Sequence, residues 1–125
     1  MNMASKLSKA VFNRAAASVG QSEPMTHAEF VFELYDSAST ELKVPNPLPE
    51  TVKPAVWWSR LKPKRVMMPH VGDLFFVGGK DGNLLCGIVG GVMKTNILTI
   101  EASEQTSAVI TNVRCLGEIK GFISL

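Results

Sequence analysis

Cysteine and histidine are the side chains of this sequence best suited to nucleophilic or metal chemistry, and each type occurs only twice. A thiolate beside an imidazole can attack a carbonyl carbon, and the same atoms can bind zinc. No two of the four residues lie at the roughly two-to-five-residue spacing of paired zinc ligands, so we expect no metal site and no cofactor. Two cysteines cannot form a disulfide scaffold, although the sequence allows a single disulfide between them in an oxidising compartment. The four residues are His27, His70, Cys86 and Cys115.

The composition is that of one ordinary globular domain. The 125 residues are 46% hydrophobic and 19% charged, which argues against disorder and against a coiled coil. A net charge of +2 is too small for a protein that works mainly by coating nucleic acid. The longest apolar run, residues 84–93, is shorter than the roughly 18 residues of a membrane span. From the length and composition we expect one domain over 1–125. The first twenty residues lack the charge order of a signal peptide, so we expect the chain to be made in the cytosol.

Two amphipathic helices are predicted in the first third of the chain. Apolar residues recur at helical spacing over 5–19, and the segment 1–20 is either the first helix of the domain or an arm that docks on a neighbour. A second helix is predicted over Thr26–Ser39, where Thr26 and Glu29 fit a capping box. Six prolines over 43–69 then predict a loop that excludes a long helix or a central strand, a short turn at Ala55–Leu61 excepted.

The second half of the chain is rich in β-formers and punctuated by glycines. A hairpin turn is predicted over 78–82, and the part of the chain that forms the sheet is 72–124. Helices followed by a run of strands predict an α+β fold, with N-terminal helices packed on a C-terminal antiparallel sheet. The predicted strands are Asp73–Val77, Leu84–Met93, Ile97–Glu101, Ala108–Val113 and Gly121–Ser124.

Several short segments between residues 20 and 124 occur in the order typical of one hydrolase family. They are Ala28–Val31 (AEFV), Trp57-Trp58, Pro69–Asp73 (PHVGD), Cys86–Val89 (CGIV), Leu98–Glu101 (LTIE) and Ile119–Phe122 (IKGF). Together they resemble the cysteine, histidine-dependent amidohydrolase/peptidase (CHAP) domain, a papain-like peptidoglycan hydrolase. The resemblance implies a partly barrel-like sheet, and a helix whose first turn presents the nucleophile to a histidine on a strand.

Carried over position by position, the resemblance implies a site that has lost its catalytic residues. His27 stands where the family has its cysteine, and Leu85 stands where the family has its histidine. Glu101 keeps the glutamate of the family's TIEGN motif, while Ser103 replaces the asparagine. Leucine cannot exchange a proton, so no general base is expected. Because an unpaired buried carboxylate is costly, we expect His27 and Glu101 to contact each other, directly or through water, and to bind a ligand.

Both cysteines are predicted to be core residues. A one-residue shift would bring Cys86 to the position of the family's histidine, but such a shift on a strand turns the side chain to the opposite face. Free cysteines are among the most buried residues, and the apolar neighbours of Cys115 indicate the same placement for it.

One cluster of basic residues surrounds the two tryptophans. It is either a solvated loop or the site of an anionic partner, with Trp57 and Trp58 stacking on sugar rings or bases. In the second case both tryptophans would belong to the ligand-binding site. The cations of the cluster are Lys53, Arg60, Lys62, Lys64 and Arg65.

Together these observations favour a catalytically degenerate CHAP-like domain that acts as a binding or structural module. Its partner would be cell-wall glycan or peptide, or a protein of a phage or secretion assembly, and the chain would be cytoplasmic or carried in such a particle or apparatus. Two alternatives remain. The first is an active peptidoglycan amidase or endopeptidase with a displaced nucleophile, and the second is a nucleic-acid-binding or inhibitor protein on the same fold. Nucleic acid is disfavoured because acidic residues dilute the positive field.

Overall fold

The first half of the chain is helical. The computed structural model describes residues 5–22, 25–79 and 83–125. Both predicted amphipathic helices are confirmed, and the second runs one turn further than expected. Its start is fixed by the predicted capping box, because the Glu29 N–H donates to Thr26 Oγ1 and the Thr26 N–H donates to Glu29 Oε1, each at 3.1 Å. The helices are α1 (Lys6–Ser18), α2 (His27–Leu42) and α3 (Pro54–Arg60).

The second half forms one antiparallel sheet. Its strands are β1 (Arg65–Val66), β2 (Leu74–Gly78), β3 (Leu84–Val92), β4 (Asn96–Ser103), β5 (Ala108–Cys115) and β6 (Ile119–Ile123). They pair in the order β1-β6-β2-β3-β4-β5. The α+β prediction is therefore confirmed. The expected partly barrel-like closure is not formed among the described residues, because β1 and β5 remain as two separate edges.

The proline-rich segment over 43–69 is more structured than the loop with one short turn at Ala55–Leu61 that we expected, and α3 lies at the position of that turn. It contains α3, a 3-10 turn over Lys62–Lys64 and the short strand β1. Pro54 is the first residue of α3, a position where the missing N–H costs no helical hydrogen bond. β1 lies at an edge and pairs only with β6, which suits a strand flanked by prolines.

The main core lies between α1, α2 and one face of the sheet. Val11 and Ala15 of α1 are fully buried in it, which favours a first helix of the domain over a docking arm. Side chains alternate along β2, so Leu74 and Phe76 face this core. Phe75 faces the other side of the sheet and belongs to a second, smaller apolar cluster.

A buried carboxylate ties α1 to the sheet at the point where β2 begins and β6 ends. Asp73 is fully buried and accepts hydrogen bonds from the Ser124 hydroxyl at 2.9 Å, the Ser8 hydroxyl at 3.4 Å and the His70 N–H at 2.6 Å. Burial raises the pKa of Asp73, and these hydrogen bonds oppose the rise. The family-like PHVGD segment therefore serves as a structural junction in this fold.

Gly72 lets α1 approach this junction closely. Its φ is +92°, a region that favours glycine. A Cβ at this position would overlap the backbone carbonyl of Ser8. On the other side, the buried Tyr35 hydroxyl donates to the Gly72 carbonyl at 2.8 Å. The backbone at Gly72 is thus held by both α1 and α2.

The predicted hairpin between β2 and β3 is confirmed as far as the structure describes it. Gly78 pairs with Leu84 at the end next to the turn, while residues 80–82 of the predicted turn lie outside the described residues. In the part of the chain that is described, no helix has the length and apolar character needed to cross a membrane.

Candidate functional site

A cleft of about 350 Å³ lies where the start of α2 meets the sheet. The pairing of β3 with β4 ends at Ile88 and Ile100, so the strands separate toward Cys86 and Ala102. This separation opens the cleft between them. Its lining combines charged, amide and apolar side chains, which are His27, Leu85, Cys86, Glu101, Ala102, Ser103, Glu104, Gln105, Ile110, Asn112 and Arg114.

His27 is placed by the start of α2, where it is the first helical residue after the Thr26 cap. Its side chain is half-buried. Burial lowers the pKa of His27, and the carboxylates of Glu104 and Glu101 oppose this effect. A helix N-terminus also disfavours a positive charge. At neutral pH we therefore expect a neutral imidazole that can accept or donate one hydrogen bond at each nitrogen.

Cys86 faces this imidazole from β3. The distance between Cys86 Sγ and His27 Nδ1 is 3.6 Å, so the thiol and the ring nitrogen are in contact. Cys86 is only 2% exposed, which confirms the predicted burial. Burial raises the pKa of the thiol strongly, and the charge of Glu101 raises it further. The thiol is therefore protonated at neutral pH, and it lies on a strand rather than at the helix start that would favour a thiolate.

Glu101 is fixed by a bidentate ion pair. Its carboxylate accepts hydrogen bonds from Arg114 Nε at 2.7 Å and from Arg114 Nη2 at 2.8 Å. The Thr99 hydroxyl donates to the same carboxylate at 2.5 Å. Arg114 also lies 3.7 Å from Glu118, and its guanidinium carbon is 5.7 Å from the centroid of the Phe75 ring. The hydrogen bonds to Glu101 raise the pKa of Arg114.

The predicted direct contact between His27 and Glu101 is not formed, because each side chain has another partner. Both side chains line the same cleft, but the Glu101 carboxylate is held by Arg114 and Thr99. The His27 ring instead faces Cys86. Glu101 needs no imidazole partner because a guanidinium already neutralises it.

Leu85 and Ser103, the other two positions carried over from the family, lie at the same cleft. Leu85 is 40% exposed and offers only an apolar surface. The Ser103 hydroxyl accepts a hydrogen bond from the Thr106 N–H at 3.3 Å. The resemblance thus selected four positions that fold together around one cleft.

The two tryptophans do not take part in this cleft among the described residues. Trp57 is fully buried in the main core, and its indole N–H donates to the Thr51 carbonyl at 2.9 Å. It presents no surface for stacking, so its expected role in ligand binding is wrong. Trp58 is half-buried, and the guanidinium of Arg65 lies 3.7 Å from its ring centroid. The basic cluster is divided, because Arg65 lines a groove with Trp58 while Lys53 lines a pocket with His27 and Glu104.

Cys115 is exposed, so its predicted core placement is wrong. It ends β5, and at this end of the strand the neighbour among the described residues is β4. Both cysteines are free thiols. In the described ranges, no three His, Cys, Asp or Glu side chains come together in a way that could hold a metal ion.

The sequence predictions missed the polar cleft residues Glu104, Gln105, Asn112 and Arg114. They also missed Thr99, which binds Glu101 without lining the cleft. Thr99 pairs with Asn112 across β4 and β5. Thr99 and Glu101 share one face of β4, as Asn112 and Arg114 share one face of β5. Polar residues alternating on two consecutive predicted strands were the available signal. That signal was cut short because the last of these strands was predicted to end at Val113.

Comparison of this chain with protein-family models, with curated proteins and with solved structures found no match.

The lowered pKa of His27 predicts a pH-dependent stability. Because the folded protein binds the imidazole proton more weakly than the unfolded chain, stability is lost as pH falls below the ordinary value of 6.5 toward the folded pKa. We expect the free energy of unfolding to decline between pH 7.5 and 5.5 more in the native protein than in His27→Gln. Urea denaturation at each pH measures this difference. The raised pKa of Asp73 has the opposite effect on stability, but it is shared by both proteins and therefore cancels in the comparison. A His27 pKa at or above 6.5, measured by NMR, would contradict the expectation.

Proposed function

We propose that this chain is a catalytically silent, papain-like domain of the CHAP type that binds a short peptide in the cleft at the start of α2. The proposal is supported by the position of the first turn of α2, which faces β3 and β4 of the antiparallel sheet across the cleft. The four family-like positions, at residues 27, 85, 101 and 103, all line that cleft. The architecture of a hydrolase site would then remain while its chemistry has been replaced.

The observation that carries the proposal is the state of the only thiol in the cleft. A cysteine nucleophile works as a thiolate that is accessible to substrate. Cys86 is 2% exposed, and burial raises its pKa. Leu85, at the position of the family's base, cannot move a proton. The group that orients the base in the family, Glu101, is bound to Arg114. The cleft therefore holds contacts for binding and lacks an activated nucleophile.

The charges of the cleft indicate what kind of ligand fits. Glu101 and Arg114 neutralise each other, and the exposed Glu104 adds one negative charge near His27. Asn112, Gln105 and Ser103 supply hydrogen-bonding groups. A peptide with a free ammonium group is complementary to this lining. The family resemblance suggests that it is a cell-wall peptide with an amine on its side chain.

Calorimetric titration with a lysine-containing wall tetrapeptide tests this proposal. We expect saturable binding that is about fivefold weaker when the lysine amine is acetylated, because an exposed charge pair contributes up to about 1 kcal/mol. Glu104→Gln should weaken binding of the free amine by a similar factor and leave binding of the acetylated peptide unchanged. Glu33→Gln is the matched control, since it removes the same charge from an exposed position on α2. Equal affinity for both peptides would contradict the assigned ligand chemistry.

A second candidate function rests on the 3.6 Å contact between Cys86 Sγ and His27 Nδ1. In it, the nucleophile and the base of the family have exchanged places between strand and helix. His27 would accept the thiol proton, Sγ would attack a peptide carbonyl, and the proton would pass to the departing amine. Water would then hydrolyse the thioester and restore the thiol.

Hydrolysis of purified peptidoglycan separates the two candidates. The proposed binding function predicts no release of amines or soluble fragments by the native chain. The second candidate predicts release that is abolished in Cys86→Ala and in His27→Gln and retained in Cys115→Ser, which removes the exposed thiol. Activity with that pattern would overturn the proposal of a silent domain.

A further inference from the structure

Positive charge is segregated into the segment that contains α3 and β1. Residues 51–72 contain five Lys or Arg residues and no Asp or Glu. Arg60, Lys62 and Lys64 are exposed. Lys120 of β6 is also exposed, and its Nζ lies 5.7 Å from the Trp58 ring centroid. A nearly neutral chain thus concentrates positive charge in this segment and in the neighbouring β6, although Lys53 lies apart, in a pocket at the start of α2.

The most exposed large apolar side chains of the described residues lie next to these cations. Met67 is 93% exposed and Met68 is 69% exposed. Met67 lines a groove of about 400 Å³ together with Leu116, which is 38% exposed, and with Arg65 and Lys120. Two adjacent methionines that are this exposed contribute little to the packing of the core. Exposed apolar residues surrounded by cations are typical of a binding surface.

The contacts of Trp58 argue against stacking of bases or sugars on this face. The guanidinium of Arg65 covers the Trp58 ring at 3.7 Å, and the ring also packs against Phe76 at 5.2 Å. Single-stranded nucleic acid needs an open aromatic face, and Trp57 is buried. Glu118 is close in sequence to Leu116 and Lys120, but its carboxylate lies 3.7 Å from Arg114 and its charge is offset there.

From these observations we infer that this face, formed by Trp58, Lys62, Lys64, Arg65, Met67, Met68, Leu116 and Lys120, docks on an anionic lipid bilayer. The methionines and Leu116 enter the boundary between headgroups and acyl chains, and the lysine and arginine side chains contact lipid phosphates. The attachment is peripheral and reversible. It is independent of the cleft, which lies at the start of α2.

Co-sedimentation of the full chain with vesicles tests this inference. In about 0.1 M salt, we expect binding to vesicles of phosphatidylcholine with one quarter phosphatidylglycerol and little binding to phosphatidylcholine alone. Each basic residue contributes about fivefold to such binding, so Lys62→Glu with Lys64→Glu should weaken it at least about tenfold. Met67→Ser with Met68→Ser should weaken it by a similar factor. Thermal melts verify that these surface variants fold.

The matched control is Lys6→Glu with Lys9→Glu, which makes the same change of charge at exposed positions of α1. It should alter binding less than about twofold. An equal loss in this control would overturn the inference, because binding would then follow net charge alone. So would unchanged vesicle binding by the methionine variant, or competition by single-stranded DNA that depends on the lysines and not on the methionines.

Discussion

Gly72→Ala is expected to destabilise the protein by roughly 2–5 kcal/mol, a large share of the stability of a domain of this size. A φ of +92° costs an alanine about 1–2 kcal/mol. The new Cβ would also overlap the Ser8 carbonyl, and relieving such an overlap costs about 1–3 kcal/mol more. Neither side can yield easily, because the Gly72 carbonyl is bound to Tyr35 and Ser8 lies within a helix. Chemical denaturation measures the loss.

Gly20→Ala is the matched control for this prediction. Gly20 has a φ of +88° and nothing within 4 Å of the place where its Cβ would stand. It therefore carries the backbone cost without the overlap, and we expect a loss of about 1–2 kcal/mol. Equal losses at the two glycines would show that the packing of α1 against Gly72 contributes nothing.

Arg114→Met is expected to cost about 2–4 kcal/mol, because it leaves the Glu101 carboxylate buried without its counter-charge. The side chains of the pair are only 16% and 12% exposed. The methionine is unbranched like arginine and removes the charge. Adding Glu101→Gln to Arg114→Met should recover much of the loss, because it removes the uncompensated charge.

An exposed ion pair of similar length provides the control. Arg14 lies 2.8 Å from Glu41, and the two side chains are 40% and 53% exposed. Arg14→Met should cost less than about 1 kcal/mol, because solvent replaces the lost partner. Comparable losses for Arg14→Met and Arg114→Met, measured by urea denaturation, would show that Glu101 is not held in a desolvated site.

Local signals predicted most of the secondary structure. The capping box of Thr26 and Glu29 marked the start of α2, and β-forming runs between glycines and turn signals marked the strands from Leu74 onward. β1 was missed because its two residues become a strand only by pairing with β6, almost sixty positions later. The openness of the sheet was missed as well, because edges are a property of the whole strand order.

The candidate site was predictable in its positions and not in its contacts. Family-like spacing selected His27 and Glu101, which do line one cleft. Their partners, Cys86 and Arg114, depend on where β3 leaves β4 and on how far β5 extends. Both are tertiary features that no local pattern encodes. The burial of Cys86 was predicted correctly, yet its contact with His27 requires α2 to begin against that strand.

Heteronuclear NMR of the native chain with the lysine-containing tetrapeptide tests the central claim most directly, because it follows protein and peptide in one sample. Saturable shifts at His27, Cys86 and Glu104, with peptide resonances unchanged after a day, are the predicted result. They would show a ligand held in the cleft beside a thiol that does not react. Cleavage of the peptide, or shifts that leave these three residues unaffected, would contradict the account of a silent binding domain.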